Sequence, residues 1–430
     1  MLGWWFPTCA MGFAFLLLSL SGAAHGYLVA WALRVFPSLR RRRRAWIAAA
    51  AVLVLATPAA RLASRSHVGV ALPVLAALMI ELIAALIVVI PFFAVHWLTR
   101  LVPLRRSRLA PLEKTADDAP VHDDPDDGDD GDDIGLDAGA SGAASADAVV
   151  GRPVTRRVAI ERIAGLSIFG GTTVALGWGM VRGRHAYVVE EVPVRIAGLP
   201  RALDGYTIAQ ISDLHAGLFV TEREFREGLS RVAEVGADLV VATGDLVDFD
   251  PSFVPMMAGA LASVRARDGV TAILGNHDWY TGADHVLAGL RAARIRVLEN
   301  EGVHIRAADG GGFALLGVND FMAPRLGEEG PSLERALAMV RPDLPRILLA
   351  HQPRFFDDAA GSVALQLSGH THGGQINPGF RPADLLMRFV AGRYEQQGST
   401  LYVNRGFGVA GPPSRVGAPP EVTKIVLVAA

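Results

Sequence analysis

Between residues 207 and 372 the chain repeats one pattern: a short apolar run, then a turn carrying Asp, Asn or His. Thr207–Ser212 leads into Asp213-Leu214-His215, and Leu239–Thr243 into Gly244-Asp245. Val270–Leu274 leads into Gly275-Asn276-His277-Asp278, the run at 346–350 into His351, and that at 363–368 into Gly369-His370-Thr371-His372. Runs of this length bounded by turn residues read as buried strands. Between them lie helical stretches: Thr221 with Glu224 three residues on forms a capping box, and 252–266 suits a helix. Further strands are expected at 313–318, 400–403 and 422–428. The plan is βαβ-rich with an appended β-rich half. In open α/β sheets ligands gather beyond the C-terminal ends of the strands. Polar turns far apart in sequence are therefore expected to converge in one crevice.

The N-terminal part obeys different rules. Of the 430 residues 51% are hydrophobic, and the excess lies near the N-terminus. Residues 9–33, about 45–60 and about 68–98 are apolar runs, and Ile163 to Val181 is a further, Gly-rich one. The first and third are long enough to cross a bilayer, and the second is marginal. The first run lacks a basic leader and is longer than a signal-peptide core, so a retained helix is expected. Residues 1–108 carry a net charge of +11, residues 109–150 a net −12. Because the basic excess flanks apolar runs, it reads as membrane topology, and no nucleic acid is expected as a partner. The Arg40–Arg44 loop and the cluster Arg100, Arg105, Arg106, Arg108 should stay cytoplasmic. Arg152, Arg156, Arg157 and Arg162 should too, which sends the C-terminal domain to the outer face if Ile163–Val181 spans. Arg156-Arg157 is followed by Val158-Ala159-Ile160 rather than the Phe-Leu usual in a twin-arginine signal and reads as an anchor flank. Glu81, inside the third run, is a buried-acid candidate for function or bundle packing. The Asp-rich stretch cannot bury enough surface to order itself and lacks the closing Glu of a calcium loop, so it reads as a disordered tether. The single cysteine, Cys9, excludes an intrachain disulfide and a cysteine zinc site. The expected organisation is a transmembrane helical region of about three spans (1–108), an acidic linker (109–155), an anchor or transmembrane helix (156–184) and a catalytic domain (185–430).

The residue types in the five turns suit a pair of divalent cations. Two cations about 3.5–4 Å apart need a bridging carboxylate and terminal ligands on each side. A short Asp can bridge, neutral imidazoles fill terminal positions, and an Asn oxygen adds a ligand without adding charge. Imidazole with carboxylate favours Mn, Fe or Zn over Ca. One histidine alone says little. Gly-Asn-His-Asp and Gly-His-Thr-His-Gly-Gly-Gln, in this order and at strand ends, say much more.

On these motifs the chain resembles the calcineurin-like metallophosphoesterases, in particular their bacterial membrane-associated YkuE/YaeI-type branch. The resemblance covers roughly residues 190–430 and includes Gly244-Asp245-Leu246-Val247-Asp248, Gly373-Gly374-Gln375-Ile376, Tyr402-Val403-Asn404-Arg405-Gly406-Phe407-Gly408 and Pro419-Pro420-Glu421. It implies an α/β fold, a four-layer α/β/β/α sandwich, here preceded by the transmembrane helices. It implies one metal held by Asp213, His215, Asp245 and His372, and a second by Asp245, Asn276, His351 and His370. One departure is His351-Gln352-Pro353, where the family usually has His or Asn before the Pro. His277 is unliganded in the family pattern and is expected to act in catalysis, with Asp278 orienting it or anchoring its loop. Arg405 is a candidate substrate-phosphate contact. His285, His304 and Asp320 lie outside the motifs and read as a helix-surface, a strand and a turn residue. The implied reaction is in-line attack on phosphorus by a hydroxide bridging the metals. The expected substrate is a phosphodiester or pyrophosphate, of a lipid or envelope glycan such as UDP-2,3-diacylglucosamine, reached from a multi-pass bacterial inner membrane with the lipid bilayer as partner. A phosphomonoesterase or protein phosphatase, or a non-catalytic membrane sensor of a phosphorylated ligand, are the alternatives.

Overall fold

The structure, a computed structural model, describes residues 5–63, 155–217, 219–306 and 311–430, with isolated positions between 89 and 98. Most of the third apolar run, Glu81, the 100–108 cluster and the acidic linker lie outside the described residues.

The first apolar run forms helix α1 (Trp5–Val35), and a short 3-10 turn, Pro37–Arg42, joins it to α2 (Arg43–Ala63). Arg40–Arg44 lie exposed at that corner. Helix α3 (Arg156–Val181) is N-capped by Thr155. Together with the turn that follows, Arg156–His185 is, among the described residues, the one helix long and apolar enough to cross a membrane. At about 1.5 Å per residue, α3 alone reaches about 39 Å, longer than a hydrocarbon core of about 30 Å. Its first turns are tied to the end of α1. Arg34 reaches Glu161 at 2.8 Å, Arg157 reaches the same carboxylate at 3.1 Å, and Arg162 Nε donates to the Val35 carbonyl at 2.8 Å. Glu161 is thus a buried acid with charged partners, which is how such a group is tolerated.

From Val188 the chain builds two six-stranded sheets. The first runs β1 (Val188–Ile196), β12 (Glu421–Ala429), β2 (Thr207–Ile211), β3 (Leu239–Thr243), β4 (Val270–Ile273) and β5 (Arg296–Val297). The second runs β10 (Gly392–Gln396), β11 (Ser399–Val403), β9 (Leu365–Ser368), β8 (Arg346–Leu349), β7 (Phe313–Gly317) and β6 (Glu301–Ile305). β2 to β5 are parallel, as are β7, β8, β9 and β11. The period-two alternation of each strand splits its side chains between two cores. Ile208, Leu239, Val241 and Ile273 meet Phe313, Leu315, Ile347 and Leu367 between the sheets. Their neighbours Ala209, Ile211, Val240 and Ala242 pack outward on α4 (Glu222–Val235), α5 (Val254–Ala262) and α7 (Ala283–Ala292). On the far side Leu316 and Leu348 pack with α8 (Leu333–Ala338) and α9 (Phe356–Ala359). The result is the expected four-layer α/β/β/α sandwich.

The strands foreseen at the motif positions form within two residues of their expected bounds, and the Thr221–Glu224 capping box is present. β1, β5 and β10 were not foreseen. β1 reads Val-Val-Glu-Glu-Val-Pro-Val-Arg-Ile and lies at a sheet edge, where its glutamates and proline are tolerated because only one side is paired. His285 is exposed on α7 and His304 lies in β6.

Candidate metal centre

Five of the seven expected ligand residues leave their strand ends on strained turns. Asp213, His215, Asp245, His370 and His372 all have φ between 47 and 74°, a region that side chains avoid at about 1–3 kcal/mol each. Asn276 opens α6 (Asn276–Thr281), and His351 follows β8 directly. The strain is held by packing too close for larger residues. At Gly369 a Cβ would sit 1.9 Å from Ser212 Oγ and 2.2 Å from Asp213 Oδ2. Beneath the turns Gln210 joins the two sheets, its Nε2 donating to Thr243 Oγ1 (3.1 Å) and to the Ser368 carbonyl (2.9 Å).

These turns bring all seven expected ligand residues together. Asp213, His215 and His372 form one group whose donor atoms lie within 4.8 Å of one another, and Asp245, His351 and His370 form a second. In the first, His215 Nε2 stands 3.1 Å from His372 Nε2, which is 3.4 Å from Asp213 Oδ1. In the second, His351 Nε2 stands 3.2 Å from His370 Nδ1 and 3.2 Å from Asn276 Oδ1. Asp245 Oδ2 lies between the groups, 3.7 Å from His215 Nε2 and 3.2 Å from His351 Nε2. Donors bound about 2.1 Å from one ion must stand roughly 3.0–3.4 Å apart, so these spacings and donor types fit a pair of cations sharing Asp245.

The surroundings prepare the donors. The His370 backbone N–H fastens the Asp213 carboxylate at 2.9 and 3.0 Å. His351 Nδ1 faces the Thr243 carbonyl at 2.8 Å, which turns Nε2 toward the site, as an outer hydrogen bond does for metal-binding imidazoles. Burial alone would raise the Asp245 carboxyl; His351 beside it overrides this and holds it well below the usual range. Burial, then the neighbouring His351, pushes His370 down to about 3. Burial, His215 and Arg415 also keep His372 well below the ordinary value. Neutral imidazole is the form that binds a cation.

The expected catalytic pair is rearranged. His277 Nδ1 meets Asp248 Oδ1 at 2.9 Å, and its backbone N–H donates to Asp245 Oδ1 at 2.8 Å. Its ring joins a third close group with His215 and Asp245, so proximity alone does not set it apart from the ligands. Asp278 has a different place. Its carboxylate accepts the backbone N–H groups of Leu246, Val247 and Gly275 at 2.8–3.1 Å, clamping two motif loops together. Asp278 anchors the loop, and Asp248 is the acid that meets the His277 ring.

Arg405 is also corrected. Its guanidinium is held by Glu190 at 2.7 Å and Glu421 at 2.9 Å. A cleft of about 460 Å³ opens beside Asn276 and His370, and the arginines lining it are Arg325, Arg354 and Arg388. Gln352 lines it too and binds the buried Asp320 carboxylate at 3.0 Å. The departure from the family pattern therefore supports a neighbouring turn.

Arg415 had no signal in the sequence, standing alone after Pro412-Pro413-Ser414. It is 1% exposed. It donates to the carbonyls of Gly408, Arg405 and Ala418 at 2.6–3.0 Å and to His372 Nδ1 at 3.2 Å. Arg415→Met fits the volume but leaves those carbonyls unpaired. It should cost on the order of 3 kcal/mol, seen as a lower thermal midpoint of the solubilised protein. An unchanged midpoint would show that the network contributes little.

The family model for the calcineurin-like phosphoesterase matches residues 206–374, the stretch that carries every candidate ligand. A bovine (Bos taurus) "transmembrane protein with metallophosphoesterase domain" is 34% identical over 288 residues, 64% of this chain and 64% of that protein, so the chain matches just under two thirds of its length. The metallophosphoesterase YkuE of Bacillus subtilis is 31% identical over 290 residues, covering 64% of this chain and 98% of YkuE. A metallophosphoesterase of Aquifex aeolicus is 35% identical over 243 residues, 56% of this chain and 91% of its own length. With nearly the whole of two such relatives matched at above 30% identity, the chain belongs to the calcineurin-like metallophosphoesterases.

Proposed function

We propose that the protein is a membrane-anchored phosphohydrolase that cleaves a phosphodiester or pyrophosphate bond, with two divalent cations (Mn, Fe or Zn) at the centre described above. The observation that carries this reading is the meeting of two donor groups at one shared carboxylate, Asp245. Asp213, His215 and His372 would hold one cation, Asn276, His351 and His370 the other, and Asp245 both. When bound, such a pair lowers the pKa of water and neutralises charge growing on phosphoryl oxygens. The protein's own groups do the rest. Arg325 and Arg354 bring positive charge to the cleft and fork onto phosphate oxygens, while Arg388 beside them is paired with Asp357 at 2.7 Å. His277, its Nδ1 held by Asp248, offers Nε2 to the leaving oxygen as a general acid.

Anchoring rests on α3 and on the apolar runs before it, in a multi-pass bacterial inner membrane. The basic flanks support an outer-face position for the catalytic domain, provided that α3 spans. Attachment keeps the site near headgroups, which favours a phosphorylated lipid or envelope glycan, UDP-2,3-diacylglucosamine being one of that class. The test is hydrolysis of bis-p-nitrophenyl phosphate against p-nitrophenyl phosphate by the full chain with added manganese. The diester should be preferred by about tenfold or more. Monoester preference would replace this reading with a phosphomonoesterase, and bound metal without turnover of either ester would replace it with a sensor.

A further inference from the structure

The mouth of the cleft carries an apolar loop that, among the described residues, nothing covers. After Gln375, Ile376 and Asn377 the chain runs out through Phe380, Leu385, Leu386 and Met387 before returning at the buried Phe389. Leu385 is 81% exposed and Leu386 90%, against the usual burial of such side chains. Leu386 and Met387 line the same cleft as His370 and Asn276. Arg325, Arg354 and Arg388 line it as well, and among the described residues neither Arg325 nor Arg354 has an ion-pair partner.

The base of this loop is joined to the end of α3. The Ser414 hydroxyl donates to the Leu176 carbonyl at 3.0 Å, and the Arg415 N–H to the Gly179 carbonyl at 3.2 Å. Gly179 is obligatory there, since a Cβ would stand 2.4 Å from Ser414 Oγ and 2.8 Å from Val416. Val416 pairs in turn with the loop base: its N–H donates to the Gln375 carbonyl (2.9 Å) and its carbonyl accepts from Asn377 N–H (2.7 Å). Yet α3 keeps an exposed apolar surface down to this junction, with Val174, Trp178 and Val181 all more than half exposed. If that surface faces lipid, the bilayer boundary falls where α3 meets Ser414–Val416, with Trp178 at the depth indole prefers. Phe380 is only three residues beyond Asn377.

We infer that the loop 378–388 is a membrane-docking element: its apolar tip enters the headgroup and acyl boundary of the bilayer that α3 crosses, the neighbouring Arg325 and Arg354 face anionic headgroups, and the cleft opens toward that surface. The occupant is the interface of an anionic bilayer. The substrate class that such an opening admits is a phosphorylated amphiphile drawn from the membrane plane. This rests on the proposed reading of α3 as a span and of the cleft as the ester site. Burying large apolar side chains at an interface is favourable, and cationic flanks add attraction to anionic lipid.

The test uses the full chain in phosphatidylcholine–phosphatidylglycerol vesicles. In a Cys9→Ser background, which removes the single native cysteine, Leu385→Cys carries an environment-sensitive fluorophore. The control label is Asp343→Cys, exposed before β8 at the strand edge opposite the site. Nitroxide-bearing lipid should quench the label at 385 at least threefold more than the label at 343, and equal quenching overturns the inference. A second measurement uses Phe380→Ser/Leu385→Ser, neither residue lining the cleft. KM for vesicle-embedded hexadecyl p-nitrophenyl phosphate should rise about tenfold while hydrolysis of bis-p-nitrophenyl phosphate is unchanged. An unchanged KM on vesicles also counts against docking. Turnover of the soluble diester together with equal quenching would overturn the docking loop alone and leave the phosphoesterase reading standing. Strong quenching at 385 in a protein that hydrolyses neither ester would support the loop and remove that reading.

Discussion

Asp245→Asn should lower turnover by more than about 10³-fold and leave the protein with one bound cation per chain or fewer. The substitution keeps shape almost unchanged, so the His277 backbone N–H can still find an oxygen where Oδ1 stands, at 2.8 Å. What it removes is the second anionic oxygen. Oδ2 is the atom placed between His215 and His351, and an amide nitrogen in its place has no lone pair for a cation. Each donor group keeps its own histidines, so single occupancy can survive while the pair cannot. A catalyst that clamps both the attacking and the leaving oxygen loses more than the 10²–10³-fold of one lost oxyanion donor. Metal analysis of the purified variant beside steady-state rates checks this. Two cations retained with full turnover would show that Asp245 does not bridge.

His277→Ala should behave differently: kcat falls by about 10²–10⁴-fold while metal content stays near that of the parent. The ring's Nδ1 is engaged by Asp248 at 2.9 Å, and burial is outweighed by Asp248 and Asp245, which hold the imidazole above its ordinary pKa. A protonated ring can donate to a leaving oxygen and cannot ligate. The rate deficit should shrink with esters whose leaving groups need no proton, so p-nitrophenolate release should suffer least and an alkyl ester most. Loss of a cation in this variant would move His277 to the ligands, a placement its closeness to His215 and Asp245 allows.

The two variants probe the part of the site that was readable before folding. Asp213, His215, Asp245, Asn276, His351, His370 and His372 lie in turns beyond apolar runs, and the family resemblance of those turns picked these seven out as ligands. A strand end announces itself locally, through the length of the run and the glycine that follows. The same logic failed where a role is set by a partner remote in sequence. Arg405 was a candidate phosphate contact because a guanidinium forks onto phosphate oxygens, with a structural role in its loop equally open. Glu190 claims it from β1, an edge strand whose charges concealed it. For Asp278 two roles stayed open, orienting His277 or anchoring its loop, and the second holds because at the start of a helix adjacent side chains point apart. Its carboxylate turns back onto the Gly244-to-Val247 turn, and Asp248 from that turn reaches the ring instead.

Local chemistry therefore singled out the polar turns, most of the strands, and an N-terminal part apolar enough to suggest a membrane. Those properties depend on residue type and short spacing, and they survive without knowledge of distant neighbours. Packing decided the rest: that Asp245 stands between two donor groups, that Arg415 closes the site from behind, and that α3 ends on the loop leading to Leu385 and Leu386. These depend on how two twisted sheets stack, because stacking brings residues more than a hundred positions apart to within about 3 Å, and no short stretch of sequence encodes that distance.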